Sequence, residues 1–166
     1  MAASEDISRI IEQEKTLVFP AFDEEAAFAL GSLVREMAIA DGLGIVIDVR
    51  LWNRPLFYAA LPGSTAANPE WTRRKINVVQ RLMKSTYRLV LEQDRPDRAF
   101  APFHAMPVED YVLAGGGFPI TVKGAGVIGA IAVSGLPERD DHNLVVRALC
   151  RHLGQHEAGL ALPGQD

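Results

Sequence analysis

Arg74, Asn77, Arg81, Lys84 and Arg88 recur at intervals of three and four, so on a helix they share one face and line up their donors along it. Arginine's planar donor fork suits carboxylate and phosphate groups, which makes such a stripe an anion site in its functional reading. In its structural reading the stripe is a solvated face, or a set of partners for acidic residues of another subunit. Arg73 and Lys75 stand beside it, with Tyr58 and Trp71 as candidate apolar walls. A formal charge of -4 for the whole chain weighs against nucleic acid as the anion and against an anionic membrane as partner.

The other residues that could do chemistry form weaker sets. His152 and His156 have the i, i+4 spacing of a two-histidine metal face. Gly154 lies between them and no third ligand follows, so no metal is expected there. His104 lies in a proline-rich loop, and His142 follows two aspartates near a helix start. Gly124-Ala125-Gly126-Val127-Ile128-Gly129 spells the G-x-G-x-x-G of dinucleotide sites. That motif needs a helix to open at the glycines, and the residues that follow are a β run. Asp48 and Arg50 point to one side of a strand, as edge solvation or as a pocket wall, water being the usual destination of charged strand residues. Ser134 could present a hydroxyl at a strand end. Neither a nucleophile elbow nor a phosphate loop is present, and Cys150 sits in an apolar helical run without an evident base. No acid–base pair is legible, so the residues leave open whether the protein is an enzyme.

The elements that must position these groups centre on Gly115–Gly135. Phe118, Ile120 and Val122 alternate with Pro119, Thr121 and Lys123, the glycines at 124 and 126 suit a hairpin turn, and residues 127–134 return as a strand apolar on both sides. Ser4 is a candidate cap for a first helix and Asp23 for a second that ends at Asp41-Gly42. Two strands follow, over 44–51 and 56–61. Asn68 and Pro69 open a helix expected to run to about Glu92, the longest in the chain, with Ile76, Val79, Met83, Thr86 and Val90 facing inward. Residues 93–106 read as a lid or tether, 107–113 as a short helix, and 138–153 as a last helix with acids in its first turn.

At 166 residues, 48% hydrophobic and 23% charged, the chain has the make-up of one globular domain. No signal peptide or long apolar span is visible, which gives a cytoplasmic expectation.

The segments LVFPAFDEEAAFALG, FYAALPGST, the W-x-R-R-K-x-N-V-V run at Trp71–Val79, GGGFPI and SGLPERDDH occur in order along the chain. In these it resembles the haem-degrading-domain proteins, the group of GlcG-like and HbpS-like haem-binding proteins and the PduO C-terminal domain, and most closely their uncharacterised-protein branch. The resemblance implies an α/β (α+β), profilin-like fold with an antiparallel sheet of four to five strands and helices on both faces. It implies a single domain over 1–153; the tail 154–166 lacks any core pattern and is expected to fray. It also implies dimers that build a larger homo-oligomer, and a small anionic ligand with haem or another tetrapyrrole as the candidate cofactor. On that basis Tyr58, Trp71, Arg74, Asn77 and Arg81 form the candidate ligand site, with Arg74 and Arg81 meeting propionate-like carboxylates. A scaffold whose basic face mediates subunit or partner contacts is the alternative.

Overall fold

A computed structural model describes residues 2–164. Five strands form one sheet in the order β1-β4-β5-β2-β3. They are β1 (Val18–Phe19), β2 (Val46–Leu51), β3 (Arg54–Ala60), β4 (Gly117–Val122) and β5 (Gly126–Ser134). Every neighbouring pair is antiparallel except β1 with β4, a two-residue parallel pairing at one edge. Six α-helices surround the sheet: α1 (Ala2–Thr16), α2 (Glu24–Ala40), α3 (Asn68–Leu82), α4 (Thr86–Gln93), α5 (Glu138–Leu153) and α6 (Glu157–Leu160). None is long and apolar enough to cross a membrane.

The hairpin of β4 and β5 sits in the middle of the sheet, as its two apolar faces require. Phe118, Ile120, Ile131 and Val133 join Ile47 and Val49 in the main core under α2 and α5. Ala130 and Ala132 face the other way, where Ile76 and Val79 of α3 pack on them. The G-x-G-x-x-G glycines form the hairpin turn and the start of β5, with Gly124 and Gly126 at positive φ. Gly129 marks the crossing with β2: a Cβ there would stand 2.1 Å from the Arg50 carbonyl oxygen. A register shift between Ile120 and Thr121 places Ile128 against the main core, not on the α3 side that strict alternation assigns it.

Asp23 caps α2 by accepting from the Ala26 N–H, and α2 stops at Asp41-Gly42 as expected. Several expectations need correction. Helix α1 already begins at Ala2, so Ser4 lies within it and is no cap. Asn68 is the first residue of α3 and not its cap; its Oδ1 accepts from the Thr65 N–H while its Nδ2 donates to the Ser134 hydroxyl. The helix expected over 69–92 is two helices, broken at Met83, whose φ of 56 is left-handed, so that α2 with 17 residues is the longest. Residues 107–113 contain a turn and no helix. Asp48 does not reach water: α3 covers its face of the sheet, leaving it 4% exposed and held by two hydrogen bonds from Arg50. Burial nonetheless pushes its carboxyl above the usual range.

The segment after Gly154 does not fray in the described residues. Helix α6 turns back so that Leu160 and Leu162 are buried, the Gln13 amide donates to the Leu160 carbonyl, and Arg139 bridges Asp6 and the Pro163 carbonyl. Apolar side chains that can be covered, and backbone carbonyls that find buried donors, outweigh the chain entropy of a tail.

Candidate functional site

On α3 the basic stripe is real but turned to an internal use. Arg74 stacks its guanidinium 4.5 Å above Trp71 and donates to the carbonyls of Glu70 and Val108. Asn77 donates to the Asp110 carbonyl at 2.9 Å, and Arg81 to the Tyr111 hydroxyl at 3.0 Å while lying over that ring. Arg73 grips Glu70, Asp110 and the Glu109 carbonyl. Together these donors hold the turn at residues 107–111 against the helix, replacing water at backbone groups that no strand or helix pairs. The stripe ends there, because Lys84 and Arg88 lie beyond the Met83 break, paired with Glu92 and Glu14.

Four of the five residues chosen from sequence therefore share one helix face. Tyr58 does not join them. It sits on the outer strand β3 opposite Asp48, 48% exposed, and no hydrogen bond or ring contact links it to α3 among the described residues. Burial, with the Asp48 charge adding to it, raises its phenol above the ordinary value.

Next to the Arg74 contact is an apolar hollow of about 500 Å3, lined by Phe100, Met106, Pro107 and Val108 among others. Phe100 and Met106 are themselves buried, so the 93–106 segment is anchored at both residues and is no free tether. His104 lies in the one-turn 3-10 helix Pro102–His104 of the same segment, its ring 4.3 Å from that of the exposed Phe103.

A second, polar hollow of about 320 Å3 opens where β5 ends, and sequence reasoning missed its central residue. Lys75 does not lie with the exposed arginines. It is 2% exposed, donates to the Val133 carbonyl at 2.8 Å and to Asp141 Oδ2 at 3.2 Å, and lines the hollow with Trp71, Ser134, Leu136 and Asp141. The signal was present: Thr72, Lys75, Ile76 and Val79 follow the i, i+3, i+4, i+7 pattern of a buried face, with the lysine inside it. Gly116, at φ +124, permits the approach, since a Cβ there would stand 2.9 Å from Lys75 Nζ and 2.4 Å from the Val133 oxygen. Burial pushes the Asp141 carboxyl up to about 6, against the opposing pull of Lys75, and pushes the Lys75 ammonium down. Each partner is displaced toward its neutral form by the same loss of water.

The remaining histidines are placed apart from both hollows. His142 is fully enclosed, its Nε2 against Gln13 Oε1 at 2.8 Å and its Nδ1 without a partner, and burial lowers its pKa to about 3. His152 packs on Phe19, and its pKa too is lowered by burial. No group of three metal-ligating side chains occurs among the described residues.

Residues 22–150 match the family model described as haem degrading protein HbpS-like. A UPF0303 protein of Mesorhizobium japonicum is 64% identical over 165 residues, covering 99% of each chain. Among solved structures, the Ybr137w protein superposes with a TM-score of 0.81 at 21% identity over 90% of each chain. HbpS superposes with a TM-score of 0.62 at 27% identity, over 81% of this chain and 91% of that one.

Proposed function

From the premise that this chain belongs to the haem degrading protein HbpS-like family, we propose that it binds a small, flat, anionic ligand of the tetrapyrrole class, haem included. The proposed site is the seam between the basic face of α3 and the 99–108 segment. One observation supports this above the others: Val108 is both a wall of the apolar hollow and the residue whose carbonyl holds Arg74. An apolar ring system would lie against Phe100, Met106 and Val108, with Trp71 flanking Arg74. Its carboxylates would meet Arg74 and Arg81, and Asn77 would hold the 107–111 turn beside them. The residues present suit haem, since His104 stands in the same segment and its imidazole would hold the iron. When bound, haem would supply a redox-active iron. The protein is proposed to act as a cytoplasmic homo-oligomer.

Haem titration tests this. A Soret shift is expected on mixing, weakened about tenfold or more by Arg74→Ala with Arg81→Ala, since hydrogen bonds to charged groups contribute ~1.5–3 kcal/mol each. The lysine pair at the same positions should retain part of the affinity. No shift with the wild-type chain, or an identical shift in the double alanine variant, rules the reading out.

A scaffold reading is favoured by a different observation. Strand β3 leaves one sheet edge unpaired, with Phe28 and Tyr58 exposed and Phe57 against Phe28. If the basic face instead meets a neighbouring subunit, Arg81→Glu should reduce the mass seen by light scattering, and an unchanged mass excludes that use of the face.

A further inference from the structure

The polar hollow at the end of β5 shares only Trp71 with the reading above, and it holds the one lysine of the chain that is shut away from solvent. The others, Lys15, Lys84 and Lys123, are partly or fully exposed. A buried amine costs solvation unless it is paired, and an amine that serves only to join α3 to the sheet needs no cavity in front of it. Lys75 has both its partners and the cavity.

We propose that this hollow is a second small-molecule site, in which the Lys75 amine condenses reversibly with the carbonyl carbon of a small 2-oxo acid. The geometry supplies each requirement. Asp141 Oδ2, 3.2 Å from Nζ, can take the proton that frees the nitrogen lone pair. Trp71, Leu136 and Pro137 give the walls an apolar part, and about 320 Å3 is ample room for a guest of that size. Arg98 stands on the lining with Nη1 donating to Glu138 and to the Leu113 carbonyl. Its Nε and Nη2 have no partner among the described residues, and that edge is the one a carboxylate meets with two parallel bonds. Glu138, the other charge on the lining, is already engaged by Arg98 and by the Gly115 N–H.

In the reaction, Nζ adds to the carbonyl carbon while the oxygen takes a proton from Asp141. The nitrogen, still carrying two hydrogens, returns one to Asp141 to leave a neutral carbinolamine. Asp141 gives that proton to the hydroxyl, which departs as water, and the product is a protonated imine facing the Asp141 carboxylate. One water is released and nothing is oxidised or reduced. Burial of both groups favours the neutral amine that this addition needs.

Glyoxylate with borohydride at pH 7.5 is the test, read by peptide mass mapping of the full chain. Reduction fixes any imine as a stable secondary amine. Lys75 is expected to be labelled roughly tenfold or more ahead of Lys15, Lys84 and Lys123, which serve as internal controls. Asp141→Asn, first shown to be folded by circular dichroism, should lose that advantage, and Arg98→Met should weaken labelling by glyoxylate more than labelling by acetaldehyde. Lys75 left unlabelled, or labelled no faster than the exposed lysines, overturns the proposal. So does an Asp141→Asn chain labelled as fast as wild type.

Discussion

Lys75 and Asp141 show how much one side chain's surroundings decide. Removing one partner of a buried ion pair typically costs about 3–5 kcal/mol, because the other is left as an uncompensated charge. Lys75→Met should therefore destabilise the chain strongly at pH 8. Its cost should be smaller at pH 5, where an Asp141 carboxyl raised to about 6 is already largely protonated. Urea titrations at the two pH values would measure this, and a cost independent of pH would locate the loss in packing. His142 gives a cleaner pH effect. Its folded pKa of about 3 lies below its ordinary 6.5, so the unfolded chain binds the extra proton between those values. The stability it contributes is complete above pH 6.5 and is lost as pH falls toward 3, by roughly 3–5 kcal/mol in all. The groups facing it are Gln13, Tyr87, Phe118, Arg139 and Asp6. His142→Gln should flatten this acid limb of the melting curve, and parallel curves for the two chains would refute the assignment. At this scale the sequence was partly legible. The arginine face could be read from spacing alone, and the same spacing contained the buried lysine, overlooked because Arg73 and Arg74 just before it drew it into the exposed run. The partners of Arg74, Asn77 and Arg81 could not be read, since they are two backbone carbonyls and the Tyr111 hydroxyl of a turn some thirty residues away in sequence.

Among the elements, the break between α3 and α4 has the sharpest consequence. Met83 adopts a left-handed conformation that costs a side-chain-bearing residue about 1 kcal/mol or more, and it is 47% exposed, so little packing offsets the strain. Met83→Gly should raise stability by about 0.5–1 kcal/mol in thermal melts. A loss instead would mean that the helix runs on through this position. No glycine or proline announces the break, because its cause is tertiary: Glu14 of α1 accepts from the Ser85 N–H and from Arg88, anchoring the start of α4. The central hairpin was readable for the opposite reason. Its alternation, turn glycines and flanking segments all act within about twenty residues, where local rules govern. The two-residue β1 was not readable, since so short a strand exists only because β4 lies beside it.

Across the whole molecule, the first and last described helices, α1 and α6, pack together. The sheet with helices on each face followed from the family resemblance and the strand patterns, whereas the packing of residues 155–164 did not. Four residues of α6 are too few for any periodic signal, and Leu160 and Leu162 become core residues only once α1 and α5 are in place. Deleting residues 155–166 should cost about 3 kcal/mol or more, from two buried leucines and from the Gln13 and Arg139 donors left without their carbonyl partners. An unchanged denaturation midpoint would show that the segment only rests on the surface. Arg139 touches Asp6 and Pro163 at once, which brings positions 157 residues apart in number within the span of a single guanidinium. A short bridge between positions 6 and 163 would thus close the backbone between them into a circle, and a cut could be made at Gly124 or Gly126, where even an added methyl group would meet no neighbouring atom.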